Sequence, residues 1–477
     1  FDHAGEMRAV AQRPITQHYP AGGWVNHDAN EIWQSVHGCV SEALARAGAR
    51  LGDVAAIGIT NQRETTVVWD RVTGEPLAPA IVWQSRQSVP YVSAIVERGM
   101  GERFHRVTGL VPDAYFSATK LALLLDENAE LRRKAEAGEA FFGTVDSWLV
   151  SKLSHGASHV TDVSNAARTM LFDIHKLDWS DELLAELSIP KAMLPSVVDS
   201  SGLVTEFTDA ELGGAASIAG IAGDQHASLF GQLCFAPGEA KNTIGTGSFL
   251  LMNTGTDVPM SDSGLLATIG WKRGNELCYA SEGSVFVSGS AVQWLRDGLG
   301  VIETSADIER LLDTEAGSSG VVFVPALTGL GAPHWDSAAR GGIFGIDRGT
   351  TAGHLAHATI EGIALQAMEL VELMRKETGL PIATLKVDGG AASNDRLLQL
   401  HADLIGVDVV RPAVLETTAL GAAYLAGLAV GFWSDRDELR HNVRIDRVFT
   451  PSMPEARRDR LIDRWKTAVD RVQDWDG

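Results

Sequence analysis

The stretch that most restricts the fold is Ser217-Ile-Ala-Gly-Ile-Ala-Gly-Asp-Gln-His-Ala-Ser-Leu-Phe230. Its small and apolar residues, Ser217 to Ala222, predict a buried strand. Gly223 ends that run and admits a close backbone approach, and His226 to Gln232 predicts a helix. A strand ending in Gly-Asp ahead of a helix directs one carboxylate into the crevice at the carboxyl edge of a sheet, where open α/β sheets bind ligands. Asp224 in that place accepts a proton from a substrate hydroxyl, or it merely caps the helix. Within this stretch alone the cap is the better reading, and the rest of the chain has to decide.

The chain has 477 residues, too many for one core, which predicts two or three domains. The net charge of −21 argues against nucleic acid or an anionic membrane as partner. It admits a nucleotide, because a phosphate site needs only local donors. Cys39, Cys234 and Cys278 are far apart and form no metal or redox motif, which predicts a reduced, cytoplasmic protein. The most apolar run, Leu420 to Trp433, is about 14 residues with three glycines, short of the roughly 20 that cross a bilayer. The first residues, Phe1-Asp-His-Ala-Gly, read as the end of a strand and its turn, so the chain is expected to be a fragment.

Strand and helix signals alternate along the whole chain, as an α/β architecture requires. Strand-like patches occupy Arg8 to Tyr19, and Asp28 or Asn30 caps a helix running to about Ala49. A buried strand, Asp53 to Thr60, runs into Asn61-Gln-Arg-Glu-Thr65 and resumes to Asp70. Arg63 and Glu64 therefore sit at a strand end or tight turn, as a surface ion pair or as a donor fork and an acceptor for one polyol. Ile81 to Gln84 is a short strand, Ser117 to Asn128 a helix, and Phe141 to Trp148 a strand then a helix. Thr161 to Arg168 is polar and loop-like.

A second series begins near Gly231. Lys241 to Met252 predicts a hairpin with a Gly-Thr-Gly turn, whose amides can surround a phosphate. Ser288-Gly-Ser290 opens a helix through Gln293. Ala352 to Thr378 is a long helix with breaks at Gly353 and Gly379. Leu385-Lys-Val-Asp-Gly-Gly390 is a strand ending in two glycines, and Asn394 opens the next helix, a recurrent place for nucleotide approach. Glu416 to Val430 is an Ala/Gly-rich helix for tight packing, and Pro454 to Asp474 a charged terminal one.

Several pieces together resemble the glycerol kinases of the FGGY carbohydrate-kinase family, within the actin-like superfamily. They are Gly58-Ile-Thr-Asn-Gln-Arg-Glu-Thr-Thr66, Tyr115-Phe-Ser-Ala-Thr-Lys120, Asn242-Thr-Ile-Gly-Thr-Gly247 and Asp388-Gly-Gly390. A further signature runs from Gly341-Gly-Ile-Phe-Gly-Ile346 through His354-Leu355 to Ala358-Thr-Ile-Glu361. The resemblance implies two ribonuclease-H-like lobes, residues 1–231 and 232–477, flanking a central active-site cleft. It implies ATP and Mg²⁺ as cofactors, with no residue assigned to the metal, and a homo-oligomer, dimer or tetramer. Carried over, Asp224 is the base toward glycerol; Arg63, Glu64, Tyr115 and Gln225 hydrogen-bond it; Trp83 and Phe249 pack on its carbon side. Thr246, Gly289, Gln293, Gly390 and Asn394 line the nucleotide site. A site that satisfies each hydroxyl rejects analogues lacking one.

Three departures stand beside the resemblance. The family's opening strand and Asp-Gln-Gly-Thr-Thr-Ser hairpin do not occur, so a chain starting at Phe1 is expected to turn over poorly, and that stretch is expected upstream. Leu123 replaces a usual Trp, a packing change. Leu212-Gly-Gly-Ala-Ala-Ser217 lacks the basic residues that would bind fructose 1,6-bisphosphate, and no histidine-bearing loop for activation by phosphorylation occurs, so neither form of regulation is expected. The rival functions are kinase activity on another polyol or sugar, which Arg63, Glu64 and Trp83 argue against, and an inactive nucleotide-binding relative.

Overall fold

The computed structural model describes residues 1–475. The apolar run of the opening stretch is the central strand, Gly214–Gly223, of a three-stranded sheet, antiparallel to Ser201–Asp209 and parallel to Ile57–Asn61. Ile218, Ala219, Ile221 and Ala222 are sealed from solvent, as a strand covered on both faces demands. The parallel register sets Gly223 opposite Asn61. Both strands therefore end at the same edge, and Arg63 and Asp224 leave the sheet side by side.

The second half builds a seven-stranded sheet in the order Leu266–Arg273, Glu276–Val285, Ser248–Gly255, Ala240–Ile244, Thr384–Asp388, Asp408–Pro412, Ile445–Phe449. Its three parallel strands, Ala240–Ile244, Thr384–Asp388 and Asp408–Pro412, are central. Helix Ala352–Thr378 covers one face, packing Leu370 and Val371 into a core shared with Leu385 and Val387. Thr351 caps its start, and Gly379 ends it with φ 68°.

The halves are joined in two ways. Helix Asp224–Gly231 crosses helix Thr417–Ala429 backbone to backbone: a Cβ on Gly421 would lie 1.8 Å from the Ala227 carbonyl oxygen, and one on Gly231 2.0 Å from that of Thr417. The latter helix also lies against Gly58 and Gly220 of the first sheet. Only small residues permit this, which is what the Ala/Gly-rich composition of 417–429 provides. Second, the hairpin Leu266–Val285 reaches into the first half. Leu266, Ala267, Ile269 and Tyr279 share a core with Phe104, Leu110 and Phe172, and the Tyr279 hydroxyl donates to the Ile174 carbonyl at 2.7 Å.

Several local expectations give way to tertiary context. Residues 8–19 pair only through an isolated bridge, His18 to Asn26. The strand expected from Asp53 starts at Ile57, because Leu51–Asp53 winds into a 3₁₀ turn capped by Arg50. Val67–Asp70 does not resume that strand; it forms a separate pair with Ala140–Gly143. The strand at 81–84 shortens to Ala80–Ile81. Gly353 lies inside the long helix, where a Cβ would strike Thr314 at 2.3 Å. The polar stretch 161–168 is not an exposed loop: strand Val160–Asp162 and helix Val163–Ala166 hold it in the interior.

Candidate active site

The turn after Asn61 places the first charged residues. Glu64 adopts φ 61°, a strained value for a residue with a Cβ, and the Ser117 hydroxyl holds its carbonyl at 3.1 Å. The short helix Val163–Ala166 supports both strand ends. Asn165 and Asn61 exchange side-chain hydrogen bonds at 3.0 and 3.2 Å, and the Ser164 hydroxyl accepts from the Gly223 N–H at 3.0 Å. Asp162 caps that helix and takes the Ser200 hydroxyl at 2.7 Å. Gly223 is needed for space: a Cβ there would lie 2.7 Å from Cγ of Arg63.

Arg63 and Glu64 are buried, so neither is half of a surface pair. The Arg63 fork already has protein partners. It donates two parallel bonds to Glu282, at 2.7 and 2.8 Å, and Nη2 lies 3.3 Å from the Tyr115 hydroxyl. Its Nε points at Oδ1 of Asp224, 3.2 Å away. Glu64 accepts from Nε of Arg168 at 2.7 Å, and Arg168 stands 3.2 Å from Glu282. Two guanidiniums and two carboxylates thus balance in the interior, as buried charge requires. Burial raises the Glu282 carboxyl, but Arg168 and Arg63 outweigh it and hold the group well below the usual range. For Glu64 burial prevails over Arg63 and Arg168 and the shift is upward. Burial also raises the Tyr115 phenol and keeps His226 neutral.

Asp224 stands apart from this neutral quartet. It opens helix Asp224–Gly231 at its first position, with Gly223 as the cap, and about a third of its side chain is accessible. Among the described residues its Oδ1 accepts only locally, from the Gln225 N–H at 2.7 Å, besides the Arg63 contact. Trp83 packs edge-on to Tyr115 and to Phe249, at 5.6 and 6.1 Å between ring centres, and Phe249 lies 5.9 Å from the Arg63 guanidinium. The seven residues expected around a polyol therefore meet in one place.

Of the five expected around a nucleotide, all in the second half of the chain, Thr246 lines the cleft and the other four lie outside its lining. The Gly-Thr-Gly turn joins Ala240–Ile244 to Ser248–Gly255 as expected. The Thr246 carbonyl accepts from the N–H groups of Ser288 and Ser290, and the Gly289 N–H donates to Gly245 at 3.0 Å. This seats helix Gly289–Asp297, which carries Gln293 exposed on its surface. Gly389, with φ 85°, passes so near Ile244 that a Cβ would lie 2.7 Å from its carbonyl, while Gly390 faces open space. Asn394 caps helix Asp395–Ile405, accepting from Leu397 at 2.8 Å. A cleft of about 530 Å³ touches both walls, with Trp83 and Tyr115 on one side and Thr246, Phe286 and Ser290 on the other.

Glu282, Arg168 and Lys241 escape sequence reading. Glu282 sits inside strand Glu276–Val285, with Ser281, Gly283 and Ser284 beside it, and Arg168 at the end of a polar stretch, and only the fold brings them to Arg63. The one local signal is that 161–168 contains neither Gly nor Pro, unusual for a loop.

Residues 1–231 match the N-terminal domain of the FGGY family of carbohydrate kinases, and residues 240–430 its C-terminal domain. The glycerol kinase of Aromatoleum aromaticum is 56% identical over 475 residues, covering 100% of this chain and 96% of that protein. That of Deinococcus radiodurans is 52% identical over 477 residues, 100% of this chain and 95% of the relative. The crystal structure of Plasmodium falciparum glycerol kinase with ADP superposes with a TM-score of 0.87 at 34% identity, over 96% of this chain and 92% of the other. A ligand-bound xylulose kinase from Lactobacillus acidophilus shares the fold at TM-score 0.85 and 23% identity, over 98% and 94%. The architecture is the two-lobed, ribonuclease-H-like one of these kinases. The chain belongs to the FGGY family of carbohydrate kinases.

Proposed function

We propose that this chain is a glycerol kinase, transferring the γ-phosphoryl group of ATP to glycerol to give sn-glycerol 3-phosphate and ADP. The observation that carries the reading is the placement of Asp224. It is the accessible acid at the end of the central strand, 3.2 Å from Arg63, beside a cleft with aromatic rings on one wall and a glycine-rich turn on the other. Names of relatives at 52–56% identity, and a relative solved with ADP, support the substrates.

In this reading Asp224 takes the proton of one glycerol hydroxyl as its oxygen bonds to the γ-phosphorus and the bond to the ADP oxygen breaks. Arg63, Glu64, Tyr115 and Gln225 bind the hydroxyls, and Trp83 and Phe249 cover the carbon edge. Thr246, Gly289, Gln293, Gly390 and Asn394 surround the nucleotide. The open space at Gly390 suits close approach of a phosphate or ribose. Among the described residues no three acids, histidines or cysteines converge on one point. Asp224 is the accessible acid that would face Mg²⁺, and the ion, when bound, would neutralise phosphate charge.

The lobes are 1–231 and 232–477, and the protein is a cytoplasmic homo-oligomer, dimer or tetramer, needing neither nucleic acid nor membrane. No helix among the described residues is long and apolar enough to cross a membrane. The turn at 212–217 carries no cation of its own, and Arg50, which packs on Gly213, is paired with Asp53, so fructose 1,6-bisphosphate is expected to leave the rate unchanged. The test is ADP release with glycerol against a panel of pentuloses, gluconate and other polyols. Asp224→Asn is expected to lower kcat by about 10²–10⁴-fold while ADP still binds. Turnover within threefold of wild type, or preference for a pentulose, contradicts the proposal.

A further inference from the structure

Lys241 stands on strand Ala240–Ile244, and its side chain is sealed from solvent. Its ammonium donates to Oε1 of Gln225 and, at 2.8 Å, to the Thr243 hydroxyl. The charges that face it are Asp388, Asp224, Arg63 and Glu282. Burial depresses the group, Asp388 and Asp224 oppose that, and the outcome is about 8, so it stays protonated at neutral pH.

An ammonium has three N–H donors and no acceptor. The Gln225 side chain must therefore turn its carbonyl oxygen toward Lys241 and its NH₂ away. Among the described residues that NH₂ makes no hydrogen bond to protein. Gln225 follows Asp224 directly, so a carboxylate acceptor and an amide donor stand side by side at the same strand end.

We propose that Lys241 is a positioning residue for polyol recognition, fixing the Gln225 amide so that it meets a substrate hydroxyl as a donor next to the acceptor Asp224. The inference rests on the reading that Gln225 contacts glycerol. A hydroxyl carries one proton and two lone pairs. Asp224 takes the proton of the reacting hydroxyl, and the Gln225 N–H serves a lone pair of the neighbouring hydroxyl. With the amide reversed, two acceptors would confront the polyol and that lone pair would go unmet. Lys241 does this without entering the nucleotide wall: Asp388, beside the Gly389-Gly390 turn, takes its hydrogen bonds from the hydroxyls of Ser228, at 2.6 Å, and Thr417.

The test is a comparison of substrates and variants in steady-state kinetics, with ADP binding followed by calorimetry. In Lys241→Met the KM for glycerol is expected to rise about 10- to 100-fold, the worth of a hydrogen bond made by a fixed donor, with ADP affinity within about threefold. Propane-1,2-diol and propane-1,3-diol each lack one hydroxyl. For the diol missing the one that Gln225 serves, Lys241→Met is expected to leave KM unchanged; for the other, KM rises as for glycerol. Gln225→Glu still accepts from Lys241, now as an ion pair, but offers no N–H, and is expected to show the same selective loss. An unchanged glycerol KM in Lys241→Met overturns this inference alone, as does an equal rise for glycerol and both diols, or a matching loss of ADP affinity. Absence of glycerol turnover in the wild type overturns the underlying reading and this inference with it.

Discussion

At the scale of single residues, the site separates sealed charges that hold structure from Asp224, the accessible acid proposed as the base. Glu282 neutralises two arginines and is sealed from solvent, whereas Asp224 keeps one guanidinium contact and a third of its surface. Removing one partner of a buried pair leaves the other uncompensated, which costs far more than the pair contributes. Glu282→Gln is therefore expected to destabilise the protein by about 3–5 kcal/mol, read from denaturant unfolding. A change below 1 kcal/mol would show that Arg63 and Arg168 find other counter-charges. The sequence displays Arg63, Glu64 and Asp224 in recognisable company, but nothing near Glu282 or Arg168 tells that they belong with them. Their partners are about 100 to 220 positions distant along the chain and meet only when two sheets have formed.

Elements carry the next layer. Helix Thr417–Ala429 touches helix Asp224–Gly231 backbone to backbone, so a single methyl must push them apart. Gly421→Ala is expected to lower stability by about 1–3 kcal/mol or more and to lower Tm; an unchanged Tm would mean that the crossing yields without cost. The other sensitive element is helix Val145–Leu153, whose Asp146 is fully buried, bonded to the Thr161 hydroxyl at 2.7 Å and to that of Thr144. Burial first, and the Asp162 carboxylate second, push it up to about 6. The folded protein holds this proton more tightly than the unfolded chain, where the value is 3.8. The group therefore favours folding most below about pH 4, and that contribution is lost as pH rises from about 4 to 6. Asp146→Asn removes the titration, so the difference in Tm between variant and wild type is expected to shift across that window and to be flat above it. The free energy involved is no more than about 3 kcal/mol, the worth of two pKa units. A difference independent of pH would sink this assignment.

For the whole molecule, hairpin Leu266–Val285 and helix Thr417–Ala429 bind the two halves through shared core, backbone contact and the Arg63–Glu282 pair. One cooperative transition is expected in calorimetry, rising in Tm with glycerol by mass action. Two resolved transitions would indicate lobes that unfold separately. Local chemistry was enough for much of this fold. The small apolar run ending in Gly-Asp specifies a covered strand and one acid at its end, because such a run needs cover on both faces of its sheet. The turns at 245–247 and 389–390 depend on Gly247 and Gly389, where a Cβ would lie 2.5 and 2.7 Å from a backbone carbonyl oxygen, and Gly379 marks the end of the long helix. What the tertiary structure alone decided is which polar groups are interior. Thr161 to Arg168 reads as a solvated loop because its hydrogen-bond partners, Asn61, Gly223, Ser200 and Glu64, lie elsewhere in the chain. Burial of charge is a property of the partners, and a linear sequence does not say who they are.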